Sequence, residues 1–441
     1  MSNTYLSRTL SGSSSREQWT FSAWVKISGN PTGSYGYLFS CTDAANHTAR
    51  ISIMNNNVAK FGFVDSLIST DVQTNRLLRD NNSWYHLMVV LDTTLGTSSD
   101  RVKLYVNGVR ETSLANTTYP SVNAGGLINY KGGSYVHNIG SYNGSSNFFN
   151  GCMSHVHFAD GAMLAPSVFG ETDIDTGEWK IKVDPTFTPG TNGFSILMDG
   201  NTITDQSANS NNWSSNGAGV TKTLDNPSSV MCTLNPLWTQ ESTRVPTLTY
   251  GNTMFSGGSS STWYQTIGTL GFSSGKYYWE AKYNAGTNLG KNLVGVVGID
   301  GMSSGKFYEK TPSFFYKNED GGEYRMNNVQ SNLNCGTLAQ NDILGFSIDM
   351  DASPPTARAY KNGTALFGNI DLTSFAGKTI VPAVSTYSSG EFQMNFGNGY
   401  FGTSAITTNS GNGYAGAEGA SKFNYQPPTG YSALNTKGLN T

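Results

Sequence analysis

Three segments in the second half of the chain constrain its fold more than any other feature. Gly275-Lys-Tyr-Tyr-Trp-Glu-Ala-Lys-Tyr283 alternates aromatic and polar faces. Asn341-Asp-Ile-Leu-Gly-Phe-Ser-Ile-Asp-Met-Asp351 carries a short apolar run of strand length. Ala359-Tyr-Lys-Asn-Gly363 closes on Asn-Gly, a pair that accepts positive φ at both turn positions of a tight hairpin. A period of two followed by a hairpin signal means antiparallel β-structure, with Trp279 and Phe346 expected in its core.

The first half reads the same way. Residues 17–28 place Trp19, Phe21, Ala23 and Val25 on one strand face. Residues 83–92, 101–108 and 151–158 read as further strands, the second ending in Asn107-Gly108. No amphipathic helical pattern stands out. Charged residues make up 13% of the chain, aromatics 12%, and there are 51 glycines, a turn-rich all-β profile. The 441 residues are enough for more than one core, so the expected class is all-β, with two β-sandwich (jelly-roll) domains in tandem.

Composition also excludes partners. A net charge of −3 gives no electrostatic case for nucleic acid or an anionic membrane surface. No apolar run approaches the roughly 20 residues of a membrane span, and Met1-Ser-Asn-Thr-Tyr5 does not read as a secretory signal. Cys41, Cys152, Cys232 and Cys335 are scattered, which argues against a zinc site or a disulfide framework.

For catalysis, the best candidate is Glu171, Asp173 and Asp175, followed by Glu178. Acids at i, i+2 and i+4 of one strand would share a face, as a nucleophile and proton donor of a glycosidase must. An acidic, solvated stretch between domains explains these residues better. His155 and His157 could ligate a metal from one strand face but lack a third ligand, and His86 is expected in a core strand. Neither a nucleophile elbow nor a phosphate loop is present. The expected protein is therefore not an enzyme.

The ordered set 21–26, 84–86, 104–108 and 151–156 resembles laminin-G-like, concanavalin-A-like domains over residues 1–170. Residues 275–283, 341–351 and 359–363 resemble a SPRY domain over 235–403. Residues 171–234 then read as a polar connector with isolated aromatic anchors, and 404–441 as a Gly/Asn/Ser-rich tail. Together the blocks resemble virion structural proteins of tailed phages, particularly those of marine bacteria. That resemblance implies a tail-fibre, appendage or capsid-decoration protein, made in the host cytoplasm and exposed on the particle. Its partners would be other virion proteins and a host-surface glycan or receptor, without nucleic acid or membrane insertion, and a homo-oligomer is compatible with it. A purely architectural subunit is the alternative, and a carbohydrate-active enzyme a third.

The resemblance also suggests sites. Laminin-G-like rims often hold Ca²⁺ on oxygen ligands, for which Asp43, Asn46 and Asn143 are candidates; no cofactor is otherwise required. Tyr35, Tyr37, Tyr130, Tyr135, Tyr142 and Asn143 supply the rings and amide of a glycan platform. Tyr316, Lys317, Asn318, Glu319, Tyr324 and Arg325 are the partner-binding loop residues expected of the SPRY-like part.

Overall fold

The computed structural model describes residues 3–12, 14–28, 35–55, 59–132, 135–198, 202–238, 244–259, 261–285, 291–301, 305–318, 321–331, 333–407 and 413–440. The chain is nearly all β, with 44% strand and 6% helix. It divides into two compact units, Met1–Lys222 with Asn226–Ser228, and Thr223–Asp225 with Ser229–Thr441.

In the first unit, two antiparallel sheets face each other. The six-stranded sheet runs Phe194–Ile196, Gly151–Asp160, Gln18–Ile27, Trp84–Asp92, Val102–Val106, Val109–Arg110 in spatial order. The eight-stranded sheet runs Leu114–Thr118, Thr70–Thr74, Ala59–Asp65, Thr48–Asn55, Tyr35–Thr42, Val136–Ile139, Tyr5–Thr9, Ser214–Asn216. Trp19, Phe21, Ala23 and Val25 point between the sheets and are fully buried. Trp19 meets Phe63 edge-on at 5.3 Å and Phe21 stacks on Phe39 at 5.3 Å. Such ring pairs add about 0.5–1.5 kcal/mol beyond their buried area.

The opposite face of Gln18–Ile27 is buried as well: Thr20, Ser22, Trp24 and Lys26 are all covered. The cover is residues 161–187. Thr20 Oγ1 donates to Ala162 O (2.8 Å) and accepts from Leu164 N (3.0 Å), while Phe169 packs on Met88 and Val90. The stretch expected as a connector is therefore part of this unit up to Lys222. Gly170–Thr172 and Trp179–Ile181 form a hairpin within the cover, Phe194–Ile196 extends the six-stranded sheet, and Ser214–Asn216 extends the other. Trp213 inserts between Phe194 (5.0 Å) and Phe39 (6.2 Å). The polar residues serve the backbone internally instead of facing water. The Asp205 carboxylate accepts N–H groups of Ser195 (2.8 Å), Ser207 (2.9 Å) and Asn211 (2.7 Å).

In the second unit, the predicted strands are Lys276–Ala285, Ile343–Asp349 and Thr356–Lys361, neighbours in one sheet. Trp279 and Phe346 stack at 5.8 Å and are fully buried, as expected. Asn362 and Gly363 take φ values of 49° and 80°, the turn that Asn-Gly predicts. A facing six-stranded sheet runs Trp263–Ile267, Ile380–Tyr387, Asn292–Gly298, Ser313–Lys317, Glu323–Met326, Val329–Gln330. The expected C-terminal tail is also structural. Ser432–Ala433 pairs in parallel with Tyr277 and Tyr278, and Phe423 and Leu434 are fully buried. Residues 229–234, assigned above to the connector, belong here too, with Cys232 and Leu234 in the core.

Candidate ligand-binding surfaces

The tyrosines expected to form one platform fall at two ends of a strand. Val136–Ile139 pairs antiparallel with Tyr35–Thr42, His137 opposite Cys41 and Ile139 opposite Phe39. Tyr142 follows that strand and meets Tyr37 at 5.6 Å; Tyr130 and Tyr135 precede it and meet each other at 5.4 Å. Tyr37 is only 4% exposed and buttresses Tyr142. Arg16 lies 3.7 Å over the Tyr130 ring, and both Tyr130 and Tyr135 pack on the core. The side chain of Tyr35 lies outside the described residues. The surface that remains is the Tyr142–Ser146 turn, where Asn143 is exposed at φ 47°. Tyr5 and Phe148, 6.2 Å apart, flank it; Tyr5 lies so close to Gly144 that a β-carbon there would meet its ring.

The same register separates the proposed calcium ligands. Asp43 and Asn46 follow Thr42, at the end of Tyr35–Thr42 remote from Asn143. Five or more strand residues intervene, about 17 Å. Asp43 is already engaged, accepting from Ala45 N (2.9 Å), His47 N (2.8 Å) and His47 Nδ1 (2.8 Å). Asn46 takes φ 64° to make that turn. Asp43, Asn46 and Asn143 therefore do not fit one Ca²⁺.

The acidic run sits at an exposed hairpin. Asp173 accepts from Asp175 N (3.0 Å), Thr176 N (2.8 Å) and Lys180 Nζ. The Lys180 ammonium, then the Thr176 N–H, hold its carboxyl well below the usual carboxylate range. A group kept ionised and bonded within its own turn is poorly suited to proton donation. Glu171 is an exposed residue with Lys182 at 3.9 Å.

Beneath this hairpin lies a buried histidine cluster. Trp179 Nε1–H donates to His86 Nδ1 (3.1 Å), which leaves the His86 Nε2–H to donate to Ser22 Oγ (2.8 Å). Trp24 and Trp179 both stack on the His86 ring, at 5.2 and 5.9 Å. Burial alone pushes His86 down to about 3. His157 bonds Ser195 Oγ (2.9 Å) and stacks on Phe169 (5.3 Å); burial, then His155, hold it well below the usual imidazole range. His155 sits at a bulge with φ 49°. Among the described residues no group of three His, Cys, Asp or Glu side chains is placed to hold a metal.

In the second unit, most of the expected partner-loop residues are structural. Tyr316 is 1% exposed and donates to Gly336 O (2.6 Å). Lys317 and Glu323 form a buried ion pair at 3.3 Å, and Asn318 is fully buried, accepting from Leu338 N (2.7 Å). Tyr324 packs on the core. Glu319 lies outside the described residues. Tyr316, Lys317, Tyr324 and Arg325 are strand residues, not loop tips, because Ser313–Lys317 and Glu323–Met326 pair with each other. Arg325 lies on the outer face, 4.8 Å over the Tyr308 ring. It joins three rings that no motif indicated. Tyr308 meets Trp263 at 5.3 Å, and Trp263 meets Tyr387 at 5.6 Å. Cross-strand pairing of Trp263 with Tyr387 makes this surface, and a linear motif carries no trace of it.

Residues 2–169 match the family described as the Concanavalin A-like lectin/glucanases superfamily. No curated protein matches the chain. Similar solved structures include the SPRY domain of human HERC1, at 18% identity, covering 36% of this chain and 96% of that one, with a TM-score of 0.30. The TRIM65 PSpry domain is 14% identical over 37% of this chain and 88% of its own, also at 0.30. A human SPRY domain is 18% identical over 32% and 90%, at 0.26. Scores this low carry no argument.

Proposed function

We propose that the chain is a non-enzymatic adhesion protein whose first sandwich binds glycan at the Tyr142–Asn143 turn. The observation that carries this reading is that turn: a half-buried ring braced by Tyr37 beside an exposed amide, flanked by Tyr5 and Phe148. A ring for the C–H face of a sugar next to a planar donor and acceptor is the minimum a shallow glycan site needs. The superfamily named for lectins and glucanases, matched over the same unit, is consistent with it. The engaged state of Asp173 favours binding over hydrolysis. The resemblance of the ordered motifs to tailed-phage structural proteins supports a place on the virion exterior. Several copies there would convert a weak single site into avidity.

The test is a bacterial glycan array probed with the full chain on multivalent particles, with Ca²⁺ and with EDTA. Selective binding, retained in EDTA and lost in Tyr142→Ala/Asn143→Ala, is expected. No binding, or binding indifferent to that double variant, would transfer the turn to the architectural reading, as a contact between virion subunits.

A further inference from the structure

Eight asparagines of this chain precede a glycine: Asn107, Asn143, Asn150, Asn192, Asn216, Asn362, Asn398 and Asn412. The pair has a chemistry of its own. A glycine places no side chain beside its backbone nitrogen, so that nitrogen can attack the side-chain amide of the residue before it. The fold treats the eight unequally, and Asn412 lies outside the described residues.

Six of them are held. Asn107 Oδ1 accepts from His86 N (2.9 Å). Asn362 Oδ1 accepts from Ile343 N (2.9 Å), and its Nδ2 donates to Asp342 Oδ1 (2.7 Å). Asn150 Nδ2 donates to Ser28 O (2.6 Å) and Asn216 Nδ2 to Ser7 Oγ (2.9 Å). Asn192 is 1% exposed and donates to Asn129 Oδ1 (2.8 Å); Asn398 is 6% exposed. A side chain that is bonded or enclosed must break away before its Cγ can turn onto the next backbone nitrogen.

Asn143 differs on each count. It is exposed, and its side-chain amide has no hydrogen-bond partner among the described residues. The Gly144 N–H rests only on the neutral Ser141 hydroxyl, at 3.2 Å. Opening the turn is a local event, because the pairing of Tyr142 with Ser146 is an isolated bridge. Tyr142 N to Ser146 O (2.8 Å) and Ser145 N to Tyr142 O (2.9 Å) close it. Asn107 and Asn362 instead cap paired strands, with Val106 opposite Val109 and Lys361 opposite Thr364. A short exposed turn outside any ladder opens at lower cost than the end of a sheet.

We propose that Asn143 is a site of spontaneous deamidation, which ages the Tyr142–Ser146 turn. The Gly144 nitrogen bonds to Asn143 Cγ, and the amide nitrogen leaves with the Gly144 proton as ammonia. Water then opens the cyclic imide at either carbonyl, giving aspartate or isoaspartate. A group that donates and accepts becomes a carboxylate that only accepts. The isoaspartate product also adds a methylene to the backbone of the turn.

The test is incubation of the full chain in heavy-oxygen water at neutral pH, followed by digestion and peptide mapping by mass spectrometry. A second sample is incubated in urea. In the folded chain Asn143 should take up label at least about fivefold faster than each of the six held asparagines, the factor expected of one hydrogen bond. In urea that lead should disappear. Asn143→Gln should remove the label from this peptide and leave the others unchanged. Uptake at Asn143 no faster than at the six would overturn the proposal. So would a lead that persists in urea, which would assign the rate to flanking sequence and not to the turn. The label reports this chemistry whether or not the turn binds glycan, so the two proposals fail separately.

Discussion

Each unit covers the outer face of one of its sheets with a segment that follows most of its strands, and each hides an ionisable group beneath that cover. The two groups are of opposite kind. In the first unit, residues 161–187 seal His86 under Trp179, the imidazole kept neutral so that Nδ1 can accept the indole N–H. In the second, the C-terminal segment seals Glu280, which accepts Asn424 N (2.9 Å), Tyr425 N (2.8 Å) and Asn395 Nδ2 (3.0 Å). One cover is fastened by a group that must stay deprotonated at a nitrogen. The other hangs from a carboxyl that burial pushes up to about 7, against the pull of those N–H donors. The same architectural solution therefore carries opposite sensitivities to pH.

Removing a cover altogether should have the largest effect. Truncation after residue 403 deletes Phe423 and Leu434, whose burial is worth about 3–6 kcal/mol, and strips Glu280 of two donors. The second unit should lose cooperative unfolding by calorimetry while the transition of the first persists. A retained second transition would return 404–441 to the status of a tail. Trp179→Ala should lower the stability of the first unit by about 2–4 kcal/mol, since a half-buried indole and the partner of His86 are both lost. Glu280→Gln should destabilise the second unit by about 1–3 kcal/mol, because an amide presents one N–H group to the N–H donors already there.

The pH profiles sharpen the contrast. His86 and His137, both lowered to about 3, and His157, also lowered, favour the folded first unit above pH 6.5. That contribution is lost progressively as pH falls from 6.5 towards 3. Asp65, raised to about 6 chiefly by burial, acts in the opposite sense within the same unit but is one group against three. Glu280, raised from 4.5 to about 7, contributes most below 4.5 and loses that contribution as pH rises through 7. Melting followed from pH 8 to 5 should therefore raise the second transition and lower the first, and Glu280→Gln should flatten the second slope. The smallest effect belongs to Lys180→Ala. Solvent screens the exposed Lys180–Asp173 pair, so its loss should barely move the first transition, and a clear drop would mean that the hairpin tip clamps the cover.

What could be read from the residues follows these same lines. Strands 18–27 and 276–285 were legible because their alternation is local, 343–349 because its apolar run has the length of a strand, and Asn107-Gly108 and Asn362-Gly363 because a positive φ leaves a two-residue signature. The covers were not legible. Their strands, like those of the stretch from 188 to 222, are three residues or shorter, and an Asp side chain such as Asp205 in that stretch looks solvated until the N–H groups it accepts are known. The lone aromatics Trp179 and Trp213 were visible as anchors, but not what they anchor to, and Phe423 was read only as part of a tail. The candidate sites failed for a related reason. Tyr37 and Tyr142 are neighbours and Tyr130 is not, a distinction drawn by strand register, which sequence proximity does not encode.

The hydrogen bond from Asn424 to Glu280 joins residues 144 positions apart. On the ribosome, Tyr278 and Glu280 emerge with their strand long before the segment that shields them. Through most of synthesis of the second unit, an aromatic ring and a carboxyl destined for burial stand open to solvent. Completion of the sandwich waits on residues 423–434, so premature termination anywhere before them releases a chain with that face bare, a ready target for chaperones and proteases.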